Sequence, residues 1–308
     1  MEIKPRYLRY LAAIGARGSF VKAADLLNIS QPALSLSIQR IEDITKTRLV
    51  DRGRHGAVLT AAGEALARHG SQIDGVLLSA AEEIGLLSSG ISGHLRVGGT
   101  PLSTDKFIPT VISRILNLTN DVAISVVEGV EENLLDMVSK NELDLMIGAP
   151  GGVTNRPEFS TQPLFFAKTV LVVRPGHPLL QEPVVSLENL ENAVWAIPPH
   201  GGSFRSQIEA LFTVNGIPFP RRTVQASSIH VLKRIVRLSN AVTLAAEQIV
   251  SEEVEQGQLN CIEVTEPVAV RAFGLHTKAD RNLGDLGKLF CDLAVEIAPQ
   301  FSFDTARA

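Results

Sequence analysis

The chain has 308 residues, 45% apolar and 20% charged. That leaves room for two or more packed units and excludes a disordered or low-complexity protein. No stretch of eighteen apolar residues occurs and no apolar leader core follows the charged first residues, so a cytoplasmic protein is expected, neither exported nor membrane-spanning. The net charge of -4 hides an imbalance, because residues 1–60 hold ten Lys and Arg against five acids, a local +5 that leaves -9 on the remainder. Such a basic end suits a polyanion partner, or is simply a solvated basic surface.

Three short helices open the chain. The first is read through Tyr7, Leu11 and Ile14, and the second through Phe20, Ala23, Ala24 and Leu27. Ser19 is a candidate cap of the second helix, and Ser30 of a third that carries Pro32 in its first turn. Leu34, Ile38 and Ile41 form the buried stripe of that third helix; at 100° per residue the opposite arc holds Pro32, Leu36, Gln39 and Arg40, flanked by Gln31 and Ser35. Amides and hydroxyls of this reach can pair with base edges, and Leu36 can touch a thymine methyl, although a polar helix face is also an ordinary surface. Residues 48–60 then read as two short strands around a Gly-containing turn, with Arg52 and Arg54 near its tip as candidates for phosphate or minor-groove contact.

The stretch Phe20–Ser35, FVKAADLLNISQPALS, resembles the helix-turn-helix signature of the LysR-type transcriptional regulators, and Ile38 through Glu42, Leu49, Arg52 and Leu59–Thr60 fall where that pattern expects them. The resemblance implies that Gln31, Pro32, Ser35 and Leu36 face double-stranded DNA. One departure matters: position 36, commonly basic in relatives, is Leu here, which shifts phosphate contact toward Arg40, Arg52 and Arg54.

From Thr60, a plausible cap, to about Ser88 there is no Pro, and two interleaved series, Leu66–Ile73–Ala80–Leu87 and Gly70–Leu77–Ile84, recur every seven residues. Either they make a seam for a partner helix or the helix packs on its own domain; the resemblance implies pairing into dimers and homotetramers that bind two adjacent sites. Residues 88–93 read as a short flexible joint.

Beyond residue 93, strand-like and helical runs alternate, which implies parallel sheets covered by helices. One unit runs through strands at 94–98, 123–128 and 143–148 with helices near 104–118 and 131–140; a second runs through strands at 170–173, 194–198, 224–227, 242–245 and 260–264 with helices near 204–214 and 229–238. A strand near 270–275 and the last helix return to the first unit. Two α/β lobes with two crossings resemble a type-2 periplasmic binding protein, the effector fold of LysR-type regulators, and Trp195–Arg205 looks like a segment found in many of them. The expected fold class is therefore a mixed α+β multidomain chain: a winged helix-turn-helix at 1–60, a linker helix at 61–90 and an effector domain at 91–308, with lobe I at about 91–163 and 268–308 and lobe II at about 164–267.

Ligands of open α/β sheets bind outside the carboxyl ends of strands, where helix N-termini present free N–H groups suited to anions. Three such junctions supply candidate contacts to a small-molecule effector, expected to be an organic anion. They offer Thr100, Ser103 and Thr104; Gly202, Ser203, Phe204 as an apolar wall and Arg205 as counter-ion; and Ser227, each of them equally readable as an ordinary helix cap. Trp195, His200, His230, Cys261 and Cys291 are read as structural, and no metal or cofactor is expected. No GxGxxG, GxxxxGK[ST] or GxSxG pattern occurs in the right setting, so the chain reads as an effector-modulated transcription regulator rather than an enzyme with a DNA tether, with a ligand-independent DNA-binding protein as the alternative. RNA polymerase is a further candidate partner.

Overall fold

A computed structural model describes residues 3–53, 56–88, 93–119, 121–149 and 156–302, and the chain divides into two compact units that meet in sequence near residue 90. In the first unit α1 (Pro5–Arg17), α2 (Phe20–Leu26) and α3 (Gln31–Thr45) are followed by a hairpin of β1 (Val50–Gly53) and β2 (Gly56–Leu59) and by α4 (Ala61–Ser88). The apolar stripes read from the sequence become its core: Leu11, Ile14, Leu34, Ile38 and Ile41 are all fully buried. Gly18, in the left-handed region at φ 60°, ends α1 by donating its N–H to the Ile14 carbonyl at 2.8 Å, and Asn28 at φ 53° turns the chain from α2 toward α3. Ser30 caps α3, its hydroxyl accepting from Ala33 N–H at 3.3 Å. Ser19 has the extended backbone of a cap at the start of α2 but makes no side-chain cap bond.

Helix α4 begins at Thr60, whose Oγ1 accepts from Gly63 N–H at 3.1 Å, and its first turns lie on its own head. A Cβ at Gly63 would sit 2.0 Å from the Leu49 carbonyl oxygen, and one at Gly70 would sit 2.1 Å from that of Leu8, so only Gly permits the approach. Gly70 and the half-buried Leu66, two of the expected seam positions, are thereby spent on intramolecular packing. Further along, Leu77 is 52% exposed and Ala80 is exposed. The side chains of Ile84 and Leu87 and most of the expected joint at 88–93 lie outside the described residues.

In the second unit the elements run β3 (His94–Gly99), a π-helical turn (Ser103–Phe107) continuing into α5 (Ile108–Leu116), β4 (Ala123–Glu128), α6 (Glu131–Ser139), β5 (Leu145–Gly148), β6 (Phe159–Ala167), β7 (Thr169–Val173), β8 (Val194–Ile197), α7 (Ser203–Val214), β9 (Thr223–Gln225), α8 (Ile229–Leu238), β10 (Ala241–Ala246), α9 (Glu247–Glu255), β11 (Asn260–Ile262), β12 (Arg271–Lys278) and α10 (Gly284–Ile297). They form two five-stranded sheets, in the orders β4-β3-β5-β12-β6 and β11-β7-β10-β8-β9. The expected all-parallel sheets are mixed: β3 lies parallel to β4 and β5, and β8 to β9 and β10, but β12 opposes β5 and β6, and β7 opposes β10 and β11. Strands joined by a covering helix return parallel; those that carry the chain between sheets escape that rule. The first crossing falls at Lys168, between β6 and β7, a few residues past the expected position.

Strand β6 and helix α9 have no counterpart in the sequence reading. Pro163 interrupts β6 and lies where its register with β12 shifts between Phe273 and Gly274, as expected of a residue without an N–H in a ladder. Phe165 and Phe273 stack across these strands with ring centroids 5.1 Å apart, joining the sheet to a core that includes Phe107, Val111, Ile115 and Phe290. In the other sheet Trp195 is fully buried, donates its indole N–H to the Leu190 carbonyl at 3.1 Å and meets Phe212 edge-on. Asp144 gathers two cations, Arg96 of β3 at 3.0 Å and Arg281.

Candidate functional site

On the head, the buried stripe of α3 fixes which residues face out. Gln31, Pro32, Gln39 and Arg40 are exposed, Leu36 is 50% exposed and Ser35 is half-buried, so the six helix residues expected to meet a duplex share one outer arc. The hairpin is held beside them by groups the sequence reading did not single out. Glu42, one α3 turn past the outer arc, accepts from Leu49 N–H at 2.7 Å and Val50 N–H at 3.2 Å. Ala57 N–H donates to the Gly18 carbonyl at 2.9 Å, and Gly56, at φ 121°, lets that carbonyl approach where a Cβ would stand 2.5 Å from it. Glu42 fits the sequence pattern, but its role depends on strands seven residues away folding back. The backbone of Arg52 lies in β1 opposite Ala57; its side chain and the whole of Arg54 lie outside the described residues.

In the second unit a cavity of about 380 Å³ opens at the carboxyl ends of β3, β4 and β8, above the two crossing strands. Of the expected contacts, Thr100, Gly202, Phe204, Arg205 and Ser227 line it. Ser103 and Thr104 sit behind the wall instead. The fully buried Ser103 hydroxyl donates to the Ile147 carbonyl at 2.9 Å and lies 3.2 Å from Thr100 Oγ1, while Thr104 Oγ1 donates to the Thr100 carbonyl at 3.2 Å and to Glu128. They shape the loop that presents Thr100. Arg205 is not the free counter-ion that was expected. Only 3% exposed, it donates Nε–H to Glu209 at 2.7 Å and Nη1–H to the Pro198 carbonyl at 3.1 Å, and it covers the Phe219 ring. A partner four residues on along α7 is a helix-surface pairing that the junction-by-junction reading passed over.

The cavity's polar centre is a cluster that the sequence reading missed, Glu131 at the start of α6 and Arg271 at the start of β12. Arg271 Nη2 donates to Glu131 Oε1 at 3.1 Å and to Ser203 Oγ at 2.5 Å, and Ser203 Oγ donates to the same Glu131 oxygen at 2.5 Å. Ser203 thus ties the first turn of α7, in one lobe, to an ion pair in the other. The guanidinium also lies over Phe204 and Phe273, 5.3 and 5.6 Å from the ring centroids. Burial pushes the Arg271 pKa down from its ordinary value and the Glu131 charge opposes that shift. Nothing local in the sequence marks the pair, whose members stand 140 residues apart. Beside the cluster, His276 is fully buried, donating Nε2–H to the Gly148 carbonyl at 3.2 Å and accepting at Nδ1 from Thr161 Oγ1 at 3.0 Å; burial lowers its pKa.

Among the described residues no group of His, Cys, Asp and Glu is arranged to hold a metal ion, and no helix is long and apolar enough to cross a membrane. Residues 5–64 match the bacterial regulatory helix-turn-helix proteins of the lysR family, and residues 88–298 match the LysR substrate binding domain. The chain is 26% identical over 279 residues to the HTH-type transcriptional regulator PcaQ of Agrobacterium fabrum, covering 91% of this chain and 90% of that one. Its fold resembles full-length OxyR from Pseudomonas aeruginosa, with a TM-score of 0.63 at 21% identity and 97% of each chain covered. It also resembles full-length CbnR complexed with its target DNA, with a TM-score of 0.59 at 16% identity, covering 97% of this chain and 99% of that one. The chain belongs to the LysR family, as a DNA-binding transcriptional regulator whose helix-turn-helix head precedes an effector-binding domain of two α/β lobes.

Proposed function

We propose that α3 enters the major groove with Gln31, Pro32, Ser35, Leu36 and Gln39 toward base edges, while Arg40, Arg52 and Arg54 hold phosphates. Residues 1–60 serve as the reading head, 61–90 as the pairing helix and 91–308 as the effector domain. The chain acts in the cytoplasm as paired heads, assembled into tetramers through α4 and further contacts, recruits or excludes RNA polymerase, and catalyses no reaction. The observation that carries the reading is the outer arc of α3, which is exposed and sparsely charged above a fully buried stripe, beside a hairpin anchored by Glu42.

A small molecule in the lobe cavity regulates the head only through unequal affinity for two arrangements of the lobes. A coupling of about 1–3 kcal/mol is enough to change promoter occupancy severalfold. Binding of purified protein to its own upstream region tests the proposal, measured against a scrambled duplex across a salt series. A preference for the native sequence, with log affinity falling linearly in log salt, is the expected result. Equal binding to both duplexes overturns it. Thr100, Gly202, Phe204 and Ser227 are the proposed effector contacts, with Ser203 acting through Arg271.

A further inference from the structure

We infer that the cavity takes an uncharged, mainly apolar effector bearing one group that is both hydrogen-bond donor and acceptor, such as an amide, a hydroxy-ketone or a diol. This departs from the organic anion expected from the helix N-termini, and it rests on the cavity being the effector site. Both cations in the wall are already neutralised, Arg205 by Glu209 at 2.7 Å and Arg271 by Glu131 at 3.1 Å. The charged residues that line the cavity, Glu128, Glu131, Arg205 and Arg271, sum to zero, and Glu209, paired with Arg205, adds one more carboxylate. A ligand carboxylate brought to Arg271 would lie against that of Glu131, where the two side chains are 14% and 10% exposed and little water remains to screen the repulsion.

The pair nonetheless keeps unused hydrogen-bonding capacity. Arg271 spends only Nη2 on protein oxygens; Nε and Nη1 have no acceptor among the described residues and are not sealed from solvent. Glu131 receives both Ser203 and Arg271 on Oε1, which leaves Oε2 open. Cationic N–H groups and a carboxylate oxygen therefore stand side by side on one wall, complementary to a neutral group that accepts from the first and donates to the second. The rest of the lining includes Leu102, Ile229, Leu232, Ala245, Ile249 and Phe273, which suits an apolar body.

The test is a comparison of shape-matched probes on the full-length chain: 2-naphthamide, 2-naphthoate and 2-naphthylmethylammonium, with the cyclohexane counterparts, titrated by ligand-observed NMR. The amides should bind about tenfold or more tighter than either charged relative, the lower end of what close desolvated charge pairs produce. Glu131→Gln should move the preference about tenfold toward the carboxylates, and Arg271→Gln toward the ammonium compounds. A merely structural ion pair would weaken all probes alike, and either variant suffices should the other fail to fold. Carboxylates that bind the wild-type chain as well as amides, or an order of affinities unmoved by both variants, overturn the inference and leave the cavity as a ligand site. Absence of binding by every probe removes the cavity itself from the regulatory reading, and the inference with it.

Discussion

Replacing Glu42 by Ala should loosen the hairpin from the reading helix. Leu49 and Val50 are 1% and 2% exposed, so the two N–H groups that Glu42 accepts, at 2.7 and 3.2 Å, have no water to fall back on. Hydrogen bonds to a charged acceptor contribute roughly 1.5–3 kcal/mol, and a buried donor left unmet costs about 1–3 kcal/mol. Taking the short bond at full value and the longer one as a fraction of it, the loss comes to about 2–4 kcal/mol. In a head of this size each kcal/mol shifts melting by roughly 4–8 °C, so calorimetry should show an early transition assigned to the head, with that of the effector domain unmoved. Glu42→Gln, which keeps an acceptor oxygen but not the charge, should lose about half as much. If Glu42→Ala melts with the wild-type profile, the anchoring role is wrong, and with it the reason the hairpin stays beside α3.

Arg40→Ala should weaken binding to all duplexes and reduce the salt slope by about 0.9, one phosphate's worth, while Gln31→Ala should flatten sequence preference and leave the slope alone; quantitative gel shifts over a salt series separate the two. Asp144→Asn removes the carboxylate that Arg96 and Arg281 share, their side chains 7% and 18% exposed; loss of that buried charge should destabilise the effector domain by up to about 3–5 kcal/mol in chemical denaturation. His276 and His177 both have pKa values lowered by burial from the ordinary 6.5. The unfolded chain therefore binds more protons as pH falls below about 6.5, and stability should decline from there toward the folded-state values, by at most ~1.4 kcal/mol per pH unit for each group. His276→Gln should flatten that decline in a melting series between pH 7 and 5, and an unchanged pH profile would contradict the neutral, hydrogen-bonded state assigned to this ring.

Local features of this chain are legible in the residues themselves. The stripe Leu34–Ile38–Ile41, the Ser30 cap, strand β4 and helix α8 depend on neighbours within a few positions, where periodicity and capping chemistry act directly. Those same signals set which face of α3 is free, and hence the proposed DNA contacts. Other features were settled only once distant segments met. Pro163 masked β6 until β12 arrived to accommodate it at a register shift; the apparent seam of α4 was partly consumed by α1, because Gly70 admits a backbone that no pattern of side chains reveals; and Arg205, conspicuous in its loop, was claimed by Glu209 while the unremarkable Arg271 came to rest in the cavity. The physical reason is one of range. Helix and cap preferences are free energies of adjacent residues, whereas the neutralisation of a charge or the filling of a cavity depends on which groups the completed packing brings within a few ångströms.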